Sequence, residues 1–293
     1  MKLDDFSLSE LSKTMFITLY SRAFESNSKN PILIDEKSIE IVNKINILLS
    51  KSKDPFYRNL LDGKIPKSCI KITALRSKLF DDYVKYFVNK NQNPIVVNFG
   101  CGLGTGYFRL NNSKIKWYDL DLPEIINFKK IFVKENNNYH FISSSVFDND
   151  WIKSISKEKN SKFLFLGEGV FIYYTENEVK NLFLSLQKHF QDSEIIFDVN
   201  NSHMVKWIQK IHHIFLKKIM KDEIYYGKYF GKETPYSWGI KNEKEIEKWN
   251  SNFHFIDEKI YFDYEITNTW LLKYLSFFKF YRKSRYIVHY KLG

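Results

Sequence analysis

Four glycines stand at every second position in the stretch VVNFGCGLGTGYFRL, residues 96–110: Gly100, Gly102, Gly104 and Gly106. Glycine lets the backbone turn with φ > 0 and come close to a ligand. A strand that ends in such a loop suits a nucleotide-shaped cofactor lying across its tip, where open α/β sheets bind their ligands. Two acidic motifs fit the same place. WYDLDLP, residues 117–123, closes a second strand about twenty residues after the glycines, where a carboxylate accepts hydrogen bonds from both ribose hydroxyls. Asp121 is the candidate and Asp119 the alternative; Asp121 can also cap the helix that starts near Pro123. FLFLGEGVFIYY, residues 163–174, sets Glu168 at the end of a buried apolar run, where a carboxylate is costly unless paired. Its partner is either a cationic ligand or a Lys or Arg of the chain.

The elements that must position these residues follow from periodicity. RSKLFDDYVKYFV carries Leu79, Phe80, Tyr83, Val84, Phe87 and Val88 on one helical face. NQNP breaks that helix, and IVVNF reads as a buried strand. KIKWYDL (114–120), YHFIS (139–143), KFLFLG (162–167) and SEIIFDV (193–199) read as further strands, the third apolar throughout as in a central parallel strand. Between them PEIINFKKIFVKE opens with Pro at a first-turn position. TENEVKNLFLSLQKHF starts with Thr175 and Glu178 in capping-box spacing. This alternation predicts an α/β, doubly wound, mostly parallel sheet. Residues 7–90 read mostly as helices. The rhythm breaks at 201–240, where HMVKWIQKIHHIFLKKIMK reads as a helix and YYGKYFGKETPYSWG as a loop. FHFIDEKIYFD (253–263) and SRYIVHYKLG (284–293) bracket the helical NTWLLKYLSFFKF and suit a strand pair at the sheet edge.

The glycine spacing alone does not identify the cofactor, because dinucleotide enzymes and methyltransferases both use a GxGxG turn. The third glycine of a GxGxxG fingerprint falls at Thr105, so NAD fits poorly and the even spacing suits a methyltransferase. S-adenosylmethionine, with its sulfonium and ammonium, would supply Glu168 with a cation. Composition narrows the class further. The 293 residues include 26 Phe and 19 Tyr, which argues for a packed core and against disorder. The net charge of +11 is spread along the chain and interleaved with Asp and Glu, unlike the clustered patch of a nucleic-acid binder. The two cysteines, Cys69 and Cys101, lack metal or disulfide spacing and read as free thiols. No signal-peptide pattern opens the chain, and its longest apolar run is too short to span a bilayer; the expectation is a cytoplasmic protein.

ALRSKLFDDYV, IVVNFGCGLGTGYFRL, WYDLDLPEIINFKK, SSSVFDNDW, EGVFIYYTENEV and IIFDVNN, in this order, resemble the leucine carboxyl methyltransferase-like family of S-adenosylmethionine-dependent O-methyltransferases, in particular its bacterial polyketide-tailoring branch. TMFITLYSRAFES, WGIKNEKEIEKWN and IVHYKLG extend the likeness over nearly the whole chain. The resemblance implies a Rossmann-like class I methyltransferase fold with a seven-stranded sheet, N-terminal helices and a helical lid insertion. It divides one domain into a helical cover (1–90), a cofactor-binding core (91–200), a lid (201–252) and a C-terminal strand pair (253–293). It implies that Arg76 holds the methionine carboxylate of the cofactor, a role suited to a planar fork. Gly100 would be the close-approach glycine, Asp121 the ribose acceptor, Ser145 and Val146 the pair beside the adenine. Glu168 would lie toward the amino end of the cofactor and Tyr173 toward the substrate. The chain departs from the family in one place: the loop is usually GxGxDTR, and here Gly104 and Gly106 replace the Asp and Arg, which bears on how the loop is braced.

A sulfonium is an activated leaving group, so methyl transfer needs no metal and no covalent intermediate, only an oriented acceptor and a dry site. A carboxylate acceptor needs no base at neutral pH, whereas a phenol needs one or a neighbouring cation. No unmistakable base stands out; His203, His212 and His213 fall in the expected lid. The reading is an O-methyltransferase acting on a carboxylate or phenolic hydroxyl of a small molecule, with no nucleic-acid and no membrane partner. The alternatives are methylation of a protein C-terminal carboxylate, a cofactor binder without catalysis, and a basic nucleic-acid-binding protein. The last is opposed by GEGV where base-amino methyltransferases carry an Asn/Asp-Pro-Pro-aromatic tetrapeptide.

Overall fold

Pro94–Phe99 forms strand β1, apolar and buried apart from Asn98, and the sheet grows from it in both directions. On one side lie β2 (Lys116–Asp121) and β3 (Tyr139–Ser143); on the other lie β4 (Lys162–Gly167), β5 (Ser193–Asn200), β7 (Arg285–Leu292) and β6 (Phe253–Ile260). The order β3-β2-β1-β4-β5-β7-β6 gives seven strands, parallel except for β7, which runs antiparallel to β5 and β6. The strand order reverses between β1 and β4, so the switch-point crevice opens at their carboxyl ends. The computed structural model describes residues 9, 11–158, 160–203, 205–206, 237–264 and 282–293.

Four helices precede the sheet: α1 (Thr14–Ser26), α2 (Glu36–Leu49), α3 (Pro55–Leu61) and α4 (Lys67–Lys90). The apolar face predicted for α4 is buried, with Leu79, Phe80, Tyr83, Val84, Phe87 and Val88 in the core that packs one face of the sheet. The other face is covered by α7 (Asn149–Ile155), α8 (Glu176–His189) and Trp238, which pack on Val97, Phe165, Phe197 and Val288. Helix α8 begins with the expected capping box: the Glu178 amide donates to Thr175 Oγ1 at 3.3 Å, and Glu178 Oε2 accepts from the Thr175 amide at 2.8 Å. Such a box satisfies two end donors at once and fixes where the helix starts.

Three elements differ from expectation. Helix α6 spans only Pro123–Lys129: beyond it the backbone closes into tighter turns, with the Ile131 amide donating to the Phe128 carbonyl at 3.2 Å and the Phe132 amide to the Lys129 carbonyl at 3.0 Å, before an Asn-rich turn. Strand β2 starts at Lys116 rather than 114. Strand β6 ends at Ile260 and passes into a 3-10 turn at Tyr261–Asp263 instead of continuing to 263. Much of the expected lid, with His212, His213 and the loop before Trp238, lies outside the described residues, as does the helical reading of NTWLLKYLSFFKF. No described helix is long and apolar enough to cross a membrane.

Candidate functional site

After β1 the chain turns sharply at Gly100, with φ +54°, into the glycine loop. A Cβ at Gly100 would sit 2.8 Å from Val170 Cγ2, so no other side chain fits there. The loop folds back on itself through a 2.7 Å hydrogen bond from the Gly104 amide to the Cys101 carbonyl. It leads into the short helix α5 (Gly106–Leu110). A cavity of about 260 Å³ lies over the tips of β1, β2 and β4, roofed by α1 and α4. Arg76, Gly100, Asp121, Glu168 and Tyr173 all line it. The topology thus gathers five residues scattered over nearly a hundred positions at one crevice.

Ser145 and Val146 are not in that lining. They follow β3, one strand further out, and connect to the site through the Ser144 amide, which donates to the Asp121 carbonyl at 3.0 Å. The Ser145 amide donates to Asp148 Oδ2 at 3.0 Å, the Val146 carbonyl accepts from Trp151 Nε1 at 3.1 Å, and the Val146 side chain is buried.

The two acids of β2 have different surroundings. Asp119 is 1% exposed and saturated: Oδ1 accepts from Asn98 Nδ2 at 2.9 Å and Trp117 Nε1 at 2.8 Å. Its Oδ2 accepts from Lys129 Nζ at 2.7 Å and from the Tyr139 hydroxyl. Asp121, at the strand end, borders the cavity and accepts only backbone donors, the Gly102 amide at 2.7 Å and the Leu122 amide at 2.8 Å. Burial pushes its carboxyl above the ordinary value, against the pull of those two amides. A carboxylate has about four lone-pair sites, so Asp121 keeps acceptor capacity that Asp119 has spent.

The departure at Gly104 and Gly106 has a structural counterpart. A Cβ at Gly104 would lie 2.8 Å from the Cys101 carbonyl, and one at Gly106 3.1 Å from the Trp117 ring and 3.6 Å from Arg109 Nη2. The loop is braced from outside instead. Arg22 donates to the Leu103 carbonyl at 2.9 Å and to Asp35 at 3.0 Å. Thr105 Oγ1 donates to Asp35 at 2.5 Å, and Arg109 joins Thr105, Asp35 and Asp81 at 2.7–3.0 Å. Lys129 adds a bond to the Gly104 carbonyl at 2.8 Å. Burial alone would raise the Asp35 carboxyl, but Arg109 and Arg22 hold it below the usual range.

At the tips of β4 and β5 stands a second charged group. Arg76 Nε and Ser77 Oγ both donate to Glu168 Oε1 at 2.9 Å. Asp198, fully buried, pairs with Arg285, whose Nε donates to Oδ2 at 2.7 Å. Burial would raise the Asp198 carboxyl, yet Arg285 and Arg76 hold it low. Burial opposes the charge of Arg76 as well, and Glu168 with Asp198 more than restores it. The sequence reading missed Asp198, Arg285 and the loop braces. One signal was available: Asp198 interrupts an apolar strand in IIFDVNN just as Glu168 ends one. The exposed His203 is not among the cavity-lining residues.

The leucine carboxyl methyltransferase family model matches residues 15–187. The S-adenosyl-L-methionine-dependent methyltransferase dpfgK of Gibberella zeae is 25% identical over 252 residues, spanning 82% of this chain and 79% of that protein. The tetracenomycin polyketide synthesis O-methyltransferase TcmP of Streptomyces glaucescens is 22% identical over 241 residues, with the same shares of 82% and 79%. Among solved structures, an S-adenosylmethionine-dependent methyltransferase from Anabaena variabilis shares the fold, with a TM-score of 0.50 at 13% identity over 73% of this chain and 83% of that one.

Proposed function

The chain belongs to the leucine carboxyl methyltransferase family, and from that membership we propose that it transfers a methyl group from S-adenosylmethionine to a carboxylate or phenolic hydroxyl of a small molecule. That it is an S-adenosylmethionine-dependent methyltransferase follows from its family and relatives. The observation that carries the finer reading is the single cavity that gathers Arg76, Gly100, Asp121, Glu168 and Tyr173. The donor set fits the cofactor group by group. Asp121 has lone pairs for a ribose diol, Arg76 a planar fork for a carboxylate, Glu168 an oxygen for an ammonium, and Gly100 no side chain to block the nucleoside. Ser145 and Val146 are assigned to the adenine side and Tyr173 to the acceptor side.

Charge supports the same assignment. Among the described residues, four guanidiniums (Arg22, Arg76, Arg109, Arg285) and the Lys129 ammonium stand against six carboxylates (Asp35, Asp81, Asp119, Asp121, Glu168, Asp198) around the cavity or beneath it. The excess of one negative charge suits a cofactor carrying a net positive one. When bound, the cofactor supplies an activated methyl group. The chain's residues hold its sugar and tail, keep water out under α1 and α4, and orient the acceptor. Of the described carboxylates at the cavity, Asp81 and Glu168 are tied to arginines and Asp121 to backbone amides. This favours an acceptor that arrives already ionised.

The small-molecule reading takes support from the relative named for polyketide synthesis, and the alternative, a protein carboxylate, from the family description. Incubation with methyl-labelled cofactor and either a low-mass extract or lysate protein separates them. Label is expected in the low-mass fraction, and label in protein alone would overturn the proposal. On the acceptor so found, a rate flat above about pH 5 marks a carboxylate, and one rising toward about pH 10 marks a phenol.

A further inference from the structure

We propose that Asp198, which is not among the cavity-lining residues, positions both the guanidinium and the turn that receive the amino-acid tail of the cofactor. The inference rests on the reading of the cavity given above. Asp198 stands near the carboxyl end of β5 with no exposed surface. Its Oδ1 accepts from the Gly169 amide at 2.5 Å, which pins the turn that follows Glu168. Its Oδ2 accepts from Arg285 and lies 3.8 Å from Arg76 Nη1. Gly169, at φ +72°, leaves room for the same guanidinium, since a Cβ there would come within 3.1 Å of Arg76 Nη1. One carboxylate therefore ties together the β4 turn, the Arg76 side chain of α4 and the first residue of β7.

The need for such a tie follows from what the tail must do. Arg76 Nε donates to Glu168 Oε1 at 2.9 Å. A tail carrying an ammonium and a carboxylate draws on both members of that pair. Once Glu168 turns to the ammonium, a long arginine side chain loses its near anchor, and only a far anchor keeps it from swinging. Asp198 is that anchor, and Arg285 in turn fixes Asp198. A further observation points to a ligand. The Tyr261 side chain is 6% exposed and its hydroxyl has no hydrogen-bond partner, although it feels the charges of Asp198, Arg285, Arg76 and Glu168. Buried hydroxyls are nearly always paired. No described residue pairs with that hydroxyl, so the network around Asp198 keeps an unspent donor beside its charged groups.

The test compares two nucleosides that differ in the tail: S-adenosylhomocysteine carries it and 5′-methylthioadenosine lacks it. Asp198→Asn keeps the Gly169 bond through Oδ1 and removes the charge. It should weaken S-adenosylhomocysteine by about 10- to 100-fold, the scale of one hydrogen bond to a charged group. Binding of 5′-methylthioadenosine should stay within about twofold, because no tail is present to be misplaced. In turnover, KM for S-adenosylmethionine should rise with kcat at saturation little changed. The single variant removes the charge that Arg285 faces across the network. The double variant Asp198→Asn/Arg285→Gln removes both charges together and should show the same selective loss if the single one does not fold. Equal weakening of both nucleosides, or of neither, overturns the inference. Wild-type protein that binds neither nucleoside overturns the reading of the cavity itself, and the inference with it.

Discussion

On one side of the cavity Arg22 and Arg109 grip Asp35 and Asp81 beneath the glycine loop; on the other, Arg76 and Arg285 meet Glu168 and Asp198 at the strand tips. Both are guanidinium–carboxylate networks, and both line or underlie the same cavity. They differ in how much they hold back. The loop-side side chains are 0–8% exposed and converge on one another: Asp35 alone accepts from two arginines, a threonine and a backbone amide. At the strand tips Arg76 is 12% exposed, Glu168 22% and Arg285 25%, and no described residue pairs with the Tyr261 hydroxyl. The same chemical pair braces a fold when its bonds are consumed internally, and keeps bonding capacity in reserve where its side chains stay partly exposed. Asp119 and Asp121, two residues apart on β2, repeat the contrast in miniature.

The largest effect should come from breaking the closed network. Asp35→Ala leaves Arg22 and Arg109 buried without their shared anion. Removing one partner of a buried ion pair costs about 3–5 kcal/mol, to be read from denaturant unfolding. If unfolding is unchanged and only cofactor binding falls, the loop-side network is ligand-facing too, and the comparison breaks. Glu168→Gln sharpens it from the other side. Affinity for S-adenosylhomocysteine should drop by about 10- to 100-fold, with much less loss of stability than Asp35→Ala. Calorimetry beside a melting curve reads both. A loss of stability as large as that of Asp35→Ala would make the strand-tip network structural as well.

These contrasts also mark where sequence reading stops. The apolar runs of β1, β4 and β5, the capping box of α8 and the glycine loop are local signals, written within about ten residues of one another. They sufficed for the parallel sheet and for placing Asp121 and Glu168 near one crevice. The pairings are not local. Arg76 meets Glu168 across 92 positions and Arg285 meets Asp198 across 87, and nothing in either segment names its partner. The brace of the altered loop comes from α1, α4 and the start of α2, so replacing the family's Asp and Arg by glycines looked like a loss when only the loop was read. Helix α6 shows the same limit: its apolar periodicity runs past Lys129, while the backbone beyond it closes into three-residue turns.

A third cluster, built around the buried His289 and away from the cavity, gives the smallest predicted effect and isolates what arginine contributes to the other two. His289 of β7 is 3% exposed, with Nε2 2.7 Å from Glu194 Oε2 on β5 and Nδ1 3.5 Å from Asp257 Oδ1 on β6. The Tyr83 hydroxyl of α4 donates to Asp257 at 2.8 Å, and the Lys259 ammonium lies 4.2 Å from the Tyr83 ring centre. Burial opposes the imidazolium, but Asp257 and Glu194 overcome it and raise the His289 pKa above 6.5. A cation whose folded pKa is raised contributes stability that is complete below its unfolded value, near 6.5, and is lost as pH rises through the folded one. Asp257 works in the opposite sense: burial would raise its carboxyl, but His289 and Tyr83 hold it low, so its share is lost toward acid. The melting temperature should therefore fall by a few degrees as pH rises from just below 6.5 into the alkaline range. His289→Gln should flatten that alkaline slope. Arginines keep their charge over this range, so the guanidiniums of the other two networks should contribute no slope of this kind. An unchanged slope in His289→Gln would assign the titration to another group and remove the imidazole from the contrast.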